Sequence, residues 1–237
     1  MTRPTRIALL VLAGAGLLAD RESATAQAAK PTVAIMYFNN NVFTKDARDY
    51  DGLTKGVPDF LVSEMASNPN IRVIERDQVQ KLIDEQKLTS GGQVDRETAV
   101  KVGKLLGAQH MIFGGFMADP KGNFRIDARA VNVETGAIEY TDRVQDHADN
   151  LMGLIGQLAG HLNAGLKLPA SSTRTGDAGA APVGARLPMR VAVMYGKALD
   201  MKDHGNKAGA VELFGAVLKE FPDYGPARAE QAKLKGT

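Results

Sequence analysis

Four histidines, His110, His147, His161 and His204, stand far apart in the chain. None has a second histidine or a carboxylate at metal-ligand spacing, so metal catalysis has no support in the sequence. With no cysteine present, thiolate metal sites, a cysteine nucleophile, disulfides and a lipid-modified N-terminal cysteine all fall away. Ser63 lies on a helical pattern with no histidine near it, and Ser90 precedes Gly91-Gly92 in a loop. Neither has the neighbours that activate a hydroxyl. Gly103-Lys104 and Gly114-Gly115 are the only phosphate-loop candidates, and no Gly-x-x-x-x-Gly-Lys-Ser/Thr surrounds them, so both read as helix and strand packing. Asp127 alternates with Arg125 and Arg129 along one strand, which places all three on one face as a charge ladder. A solvated sheet face is the favoured reading of that ladder over a polar partner site. Glu134 falls in a hairpin turn and needs no catalytic role. No catalytic residue, metal ligand or cofactor is expected, and the chain does not read as an enzyme.

Recognition has better candidates. A polar loop, Asn39-Asn40-Asn41, follows an apolar run and leads to Phe43 and Tyr50, where exposed aromatic rings would present a contact surface. The alternative is that both rings fold back on the core. Near the C-terminus Phe214, Phe221 and Tyr224 share a segment with few charges on that side. This apolar face either docks a protein partner or is capped by the last helix of the chain.

These residues are positioned by a readable series of elements. Thr32 to Phe38 is a Val/Ile-containing run bounded by Pro31 and the asparagines, and so a buried strand. Leu53, Val57, Phe60, Leu61 and Met65 recur at helical spacing, with Pro58 predicting that the regular helix begins near it. Ile71 to Ile74 is a second strand. The next helix turns Val79, Leu82 and Ile83 inward and Arg76, Lys81, Asp84, Glu85 and Lys87 outward. Asp95 is placed to cap a helix that faces Ala99, Val102, Leu105 and Leu106 inward and stops at Gly107. Strands follow at His110 to Met117, Phe124 to Val133 and Ala137 to Val144, the last two joined by the Glu134-Thr135-Gly136 turn. A helix after Asp149 buries Leu151, Leu154, Ile155, Leu158 and Leu162, with His161 partly packed. The order describes an α/β domain, a mixed β-sheet packed by helices, followed by a small all-α C-terminal helical hairpin.

Arg3 and Arg6 precede an apolar run from Ile7 to Ala19, and small residues follow at Ala24, Ala26 and Ala28, so residues 1–28 read as a cleaved secretory signal cut after Ala26 or Ala28. That run falls short of the roughly 18 to 20 residues a spanning helix needs. No later stretch approaches that length, so a mature chain without a spanning segment is expected. The formal charge is +2, and losing residues 1–26 leaves about +1, a balance that gives no reason to expect a nucleic-acid partner. Residues 168–188 crowd Pro169, Gly176, Gly179, Pro182, Gly184 and Pro188 among Ser and Ala, which predicts a flexible linker between a domain at 29–167 and a helical module at 189–237.

Several segments together resemble one family. Thr32 to Asn39, Tyr50 to Gly56, Ile71 to Arg76 and Glu85 to Leu88 stand in the same order as in the curli production assembly/transport CsgG-type family. So do Asp95 to Val100 running into Leu105 to Ala108, and Arg125 to Arg129 running into Val133 to Gly136. The likeness spans roughly residues 31–166. It implies a TolB N-terminal-like α/β domain, a periplasmic or outer-membrane-associated location, and a binding role without catalysis. The chain lacks the family's lipid-acceptor cysteine, and no pair of alternating ten-residue hairpin segments is present to build a membrane barrel. At the C-terminus, Gly205, Ala210, Phe214 and Pro222 stand at the spacing of a tetratricopeptide motif, with Tyr195, Ala198 and Leu199 on its first helix and a third helix from Pro226 to Leu234. The expected function is an exported, non-enzymatic protein that binds envelope proteins in secretion, assembly or outer-membrane maintenance. The alternatives are a ring-forming subunit of an outer-membrane secretion complex, and thus a homo-oligomer, or an envelope hydrolase.

Overall fold

The computed structural model describes residues 29–86, 94–170 and 187–236. The expected signal segment, and most of the expected linker at 171–186, lie outside the described residues. Strand β1 (Thr32–Asn40) carries the most apolar run and takes a central place, between β2 (Arg72–Val73) and β3 (His110–Ala118), parallel to both. From β3 the chain folds back twice through β4 (Asn123–Asn132) and β5 (Ile138–His147), giving the order β2-β1-β3-β4-β5. The parallel part is buried on both faces and the antiparallel part alternates, as expected for each kind of pairing.

One face of this mixed sheet presents Ile35, Phe38, Ile112, Phe116, Phe124, Ile126 and Val144 to helices α1 (Leu53–Ala66) and α4 (Leu151–Gly165). The other presents Ala34, Met36, Met111, Phe113 and Val131 to α2 (Arg76–Gln86) and α3 (Arg96–Leu106). The α3 boundaries are set by chemistry local to the sequence: Asp95 accepts the Thr98 N–H at 2.8 Å, and Gly107 ends the helix at φ 65°, a left-handed turn open to glycine.

Four expectations need correction. Helix α1 begins at Leu53, not near Pro58; Pro58 sits inside it and is buried against neighbours. The second strand shrinks to Arg72–Val73, since only β1 lies beside it. Leu105, expected inward, is 53% exposed, because α3 is held through Ala99 and Val102. Arg76, expected outward, is 2% exposed.

The burial of Arg76 follows from the C-terminal helices α5 (Met189–Asp203), α6 (Lys207–Glu220) and α7 (Gly225–Lys235). Helix α5 lies across α1, and one apolar cluster runs from the sheet through α1 into Tyr195, Leu199, Phe214 and Ala227. The crossing is close because it is made of glycines: a methyl group at Gly196 would overlap the Gly52 carbonyl, and one at Gly52 the Val193 carbonyl. Tyr195 is the centre of the junction. Its ring stacks on Phe60 at 5.6 Å, lies 5.7 Å from Phe214 and meets Tyr224 edge-on at 5.2 Å, while its hydroxyl donates to Asp59 Oδ2 at 2.8 Å.

Candidate functional site

The sheet face that carries α2 and α3 is left open beyond the Val131 end of β4. Register alone decides what stands there. Met117, Gly115 and Phe113 of β3 pair with Arg125, Asp127 and Arg129 of β4, and these pair in turn with Gln145, Arg143 and Thr141 of β5. The period of two sends all the charged members of this set to the side away from Phe124, Ile126 and Ala128. Together with Asn39, Asn41 and Val94 they line an open cleft of about 740 Å³.

Asp127 organises the cleft. Its two oxygens accept the Nε–H of Arg125 at 2.8 Å and of Arg143 at 2.7 Å. Each guanidinium is thereby held by its Nε, with its terminal NH₂ groups left for another acceptor. Arg129, two residues along the same strand, is exposed and makes no ion pair among the described residues. Three arginines against Asp127 and Asp142, the latter met by His161 of α4 at 2.7 Å, leave the cleft with a net charge of about +1. The far wall is fixed by Asn39, whose amide donates to Val94 O at 3.3 Å and accepts from Val94 N at 3.1 Å. Asn41 lies over Gly115, a place any side chain on that residue would occupy.

A second polar cluster, this one sealed, joins the C-terminal helices to the rest. Arg76 gives Asp203 two hydrogen bonds, at 2.7 and 3.1 Å, and Lys55 approaches the same carboxylate at 3.5 Å. Lys55 also donates to Gln80 Oε1 at 2.8 Å and lies 3.4 Å above the Tyr37 ring. Burial pulls the Lys55 ammonium below its usual range against the pull of Asp203, and pushes the Asp59 carboxyl up against the pull of Arg76. For Arg76 burial acts downward, but the Asp203 hydrogen bonds and charge overcome it and hold the guanidinium firmly protonated. The cluster fastens α5 to α1 and α2, and the Arg76 Nε, 3.5 Å from Asp59, is left without a hydrogen bond. No group of three His, Cys, Asp or Glu among the described residues is placed to hold a metal ion.

The five aromatic residues singled out in the sequence separate into two kinds. Phe43 projects from the loop after β1 and is 88% exposed. That loop is not loose: Val42 is buried beside Phe43, and the Asn40 side chain donates to Ala47 O and to Asp51 Oδ1, each at 2.8 Å, while accepting from Val42 N. Tyr50 folds back, half-buried, with its ring 6.5 Å from Phe124. Phe214 and Tyr224 are core residues around Tyr195, and Phe221 is partly buried 6.4 Å from Tyr224. The C-terminal apolar face is thus covered from within, Phe214 and Tyr224 packing on Tyr195 of α5, so these two rings do not offer a contact surface.

A family model described as curli production assembly/transport component CsgG matches residues 16–119. No curated protein sequence matches the chain. Among solved structures it is similar to the C-terminal domain of LpoB from Escherichia coli, at 15% identity over 52% of this chain and 87% of that one, with a TM-score of 0.39. It is also similar to TolB from Acinetobacter baumannii (11% identity, 58% of this chain, 28% of that one, TM-score 0.40). A third is the PelC dodecamer from Paraburkholderia phytofirmans (11%, 59% and 89%, TM-score 0.37). The matched segment ends just after β3, so it contains Asn39, Asn41, Gly115 and Phe43, whereas Arg125, Asp127, Arg129 and Arg143 lie beyond it.

Sequence reasoning found the Arg125-Asp127-Arg129 ladder but missed Arg143 and the buried role of Arg76. The first was hidden by a register shift: the turn pairs Val131 with Ile138, and only the irregularity between Val131 and Ala130 brings Asp127 opposite Arg143 rather than Asp142. The second was out of reach, because the partner of Arg76 is 127 residues away.

Proposed function

We propose that this chain is an exported, non-enzymatic envelope protein that binds protein partners in secretion, assembly or outer-membrane maintenance. The match to the CsgG family model supports the cellular setting, and the apolar run behind Arg3 and Arg6 supports export with residues 1–28 as the signal. The observation that carries the binding role is Phe43: a phenyl ring 88% exposed on a loop whose backbone is held by the Asn40 hydrogen bonds and the buried Val42. An aromatic side chain presented on a braced loop loses little entropy on binding, and aromatic anchors of this kind dominate protein interfaces.

The test is a crosslinked pull-down from the native envelope with the unaltered chain and with Phe43→Ala, alongside light scattering of each. A hot-spot anchor is worth about 2 kcal/mol, so capture of the partner should fall roughly thirty-fold in affinity while folding is unchanged. Equal capture by both forms would remove Phe43 from the interface. A ring-sized mass for the isolated protein would replace the adaptor with a self-assembling subunit.

A further inference from the structure

We infer that the open cleft over β4 and β5 binds an acidic peptide segment of a partner protein, its carboxylates meeting Arg125, Arg129 and Arg143. The inference rests on the partner-binding reading above and names the chemistry of a second contact. Three observations carry it. The first is charge: three guanidiniums converge on a cleft lined by two acidic residues, of which Asp127 is already taken by two of them and Asp142 is met by His161 of α4 at 2.7 Å. The Asp127 clamp holds Arg125 and Arg143 by Nε and leaves their planar NH₂ pairs outward, the arrangement that takes a carboxylate through two parallel hydrogen bonds.

The second observation is unused bonding capacity. Among the described residues Arg129 has no ion pair, and the side-chain amide of Asn41 has no hydrogen-bond partner. The chain does not supply the missing acid itself. Of its segments outside the described residues, 87–93 carries only Lys87, 171–186 carries Arg174 and Arg186 against Asp177, and the N-terminal 28 are net basic.

The third observation selects a peptide over other polyanions. Strand β5 is the last strand of the sheet and pairs with no strand on its outer side among the described residues, so its main chain is open to an added extended segment. A segment paired there sends every second side chain to the face that carries Thr141, Arg143 and Gln145. Single-stranded nucleic acid would need aromatic platforms for its bases, and the one aromatic in the lining, Phe113, is buried.

The experiment is fluorescence anisotropy of a labelled hexaglutamate peptide with the purified full chain at low ionic strength. Saturable binding that weakens as salt is added is expected. Arg129→Gln should weaken it about five-fold, the upper range for an exposed ion pair, with Arg129→Lys intermediate because it keeps the charge and loses the fork. Lys219→Gln, an exposed charge on α6, should change nothing. Because Arg129 has no ion-pair partner among the described residues, its replacement does not threaten folding. Absence of saturable binding, or an equal loss in Arg129→Gln and Lys219→Gln, overturns the inference. So does an oligogalacturonate or inorganic polyphosphate of equal charge that binds through Arg129 about ten-fold more tightly than the peptide, which would assign the cleft to a different class of partner. Failure here is separable from failure of the functional reading: partner capture that depends on Phe43 but not on Arg129 leaves the adaptor standing without the cleft.

Discussion

Gly196 and Gly52 allow α5 to lie directly on the start of α1, and no other residue type fits either place, since the obstacle in each case is backbone. Gly196→Ala should therefore cost at least the about 1–3 kcal/mol of an overpacked core, despite alanine's better helix propensity, as read from the urea midpoint. A gain in stability would mean that the crossing is looser than the structure has it. Beside it, Tyr195 donates to Asp59, a carboxyl that burial already pushes up and that Arg76 helps to hold. Tyr195→Phe keeps the ring contacts with Phe60, Phe214 and Tyr224 and removes only the donor. The expected loss is about 1–3 kcal/mol by the same measurement, the cost of leaving a buried acceptor short of a partner.

Among the elements, Lys202 ties three helices together: from α5 it reaches both oxygens of Asp77 on α2 at 2.9 Å and Glu230 on α7 at 2.6 Å. Burial raises both carboxyls, but the Lys202 hydrogen bonds prevail and leave each below its ordinary value. A depressed folded-state pKa stabilises the protein above the unfolded value, and that contribution fades as the pH falls toward the folded one. The melting temperature should thus drop as the pH is lowered from 5 through the ordinary carboxylate range, about 4. Asp59, raised by burial, works in the opposite direction, so the drop in Lys202→Met, which removes only the first effect, should be smaller than in the unaltered chain. Equal drops by calorimetry would show that Lys202 does not set the acid response. The elements themselves were mostly legible in the sequence. Helix α3 was readable end to end because both its caps are local, Asp95 three residues from the Thr98 N–H that it accepts and Gly107 at its stop. The start of α1 was not, because its first turn is held by the docked α5, where Gly52 and Gly56 lie under Ala192, Val193 and Gly196. Arg76 shows the same limit: helix-face periodicity reads the neighbours three and four residues away and cannot see an Asp203 brought from another part of the chain.

At the scale of the whole molecule, the composition of residues 168–188 suggests two separable units, yet the described helices on either side share one apolar cluster and one ionic cluster. The candidate site shows why a sequence cannot settle this. The ladder of Arg125, Asp127 and Arg129 lies on a single strand and is readable, whereas the packing of Phe214 and Tyr224 runs through Tyr195 to Phe60 of α1, which is more than a hundred residues earlier. A shared core predicts one cooperative thermal transition for the full chain, where two independent units would give two. It also predicts the fate of a chain that stops at Ala170. Loss of α5, α6 and α7 takes Tyr195 off Phe60 of α1 and uncovers Arg76 without its partner Asp203, and each large apolar side chain returned to water costs about 1.5–3 kcal/mol. Against a total stability of about 5–15 kcal/mol for an ordinary domain, the truncated chain should lose its cooperative transition and bind a hydrophobic dye. If the truncated chain instead melts cooperatively within a few degrees of the full one, the helices are a detachable module, and Arg76 must find water or another acid once Asp203 is gone.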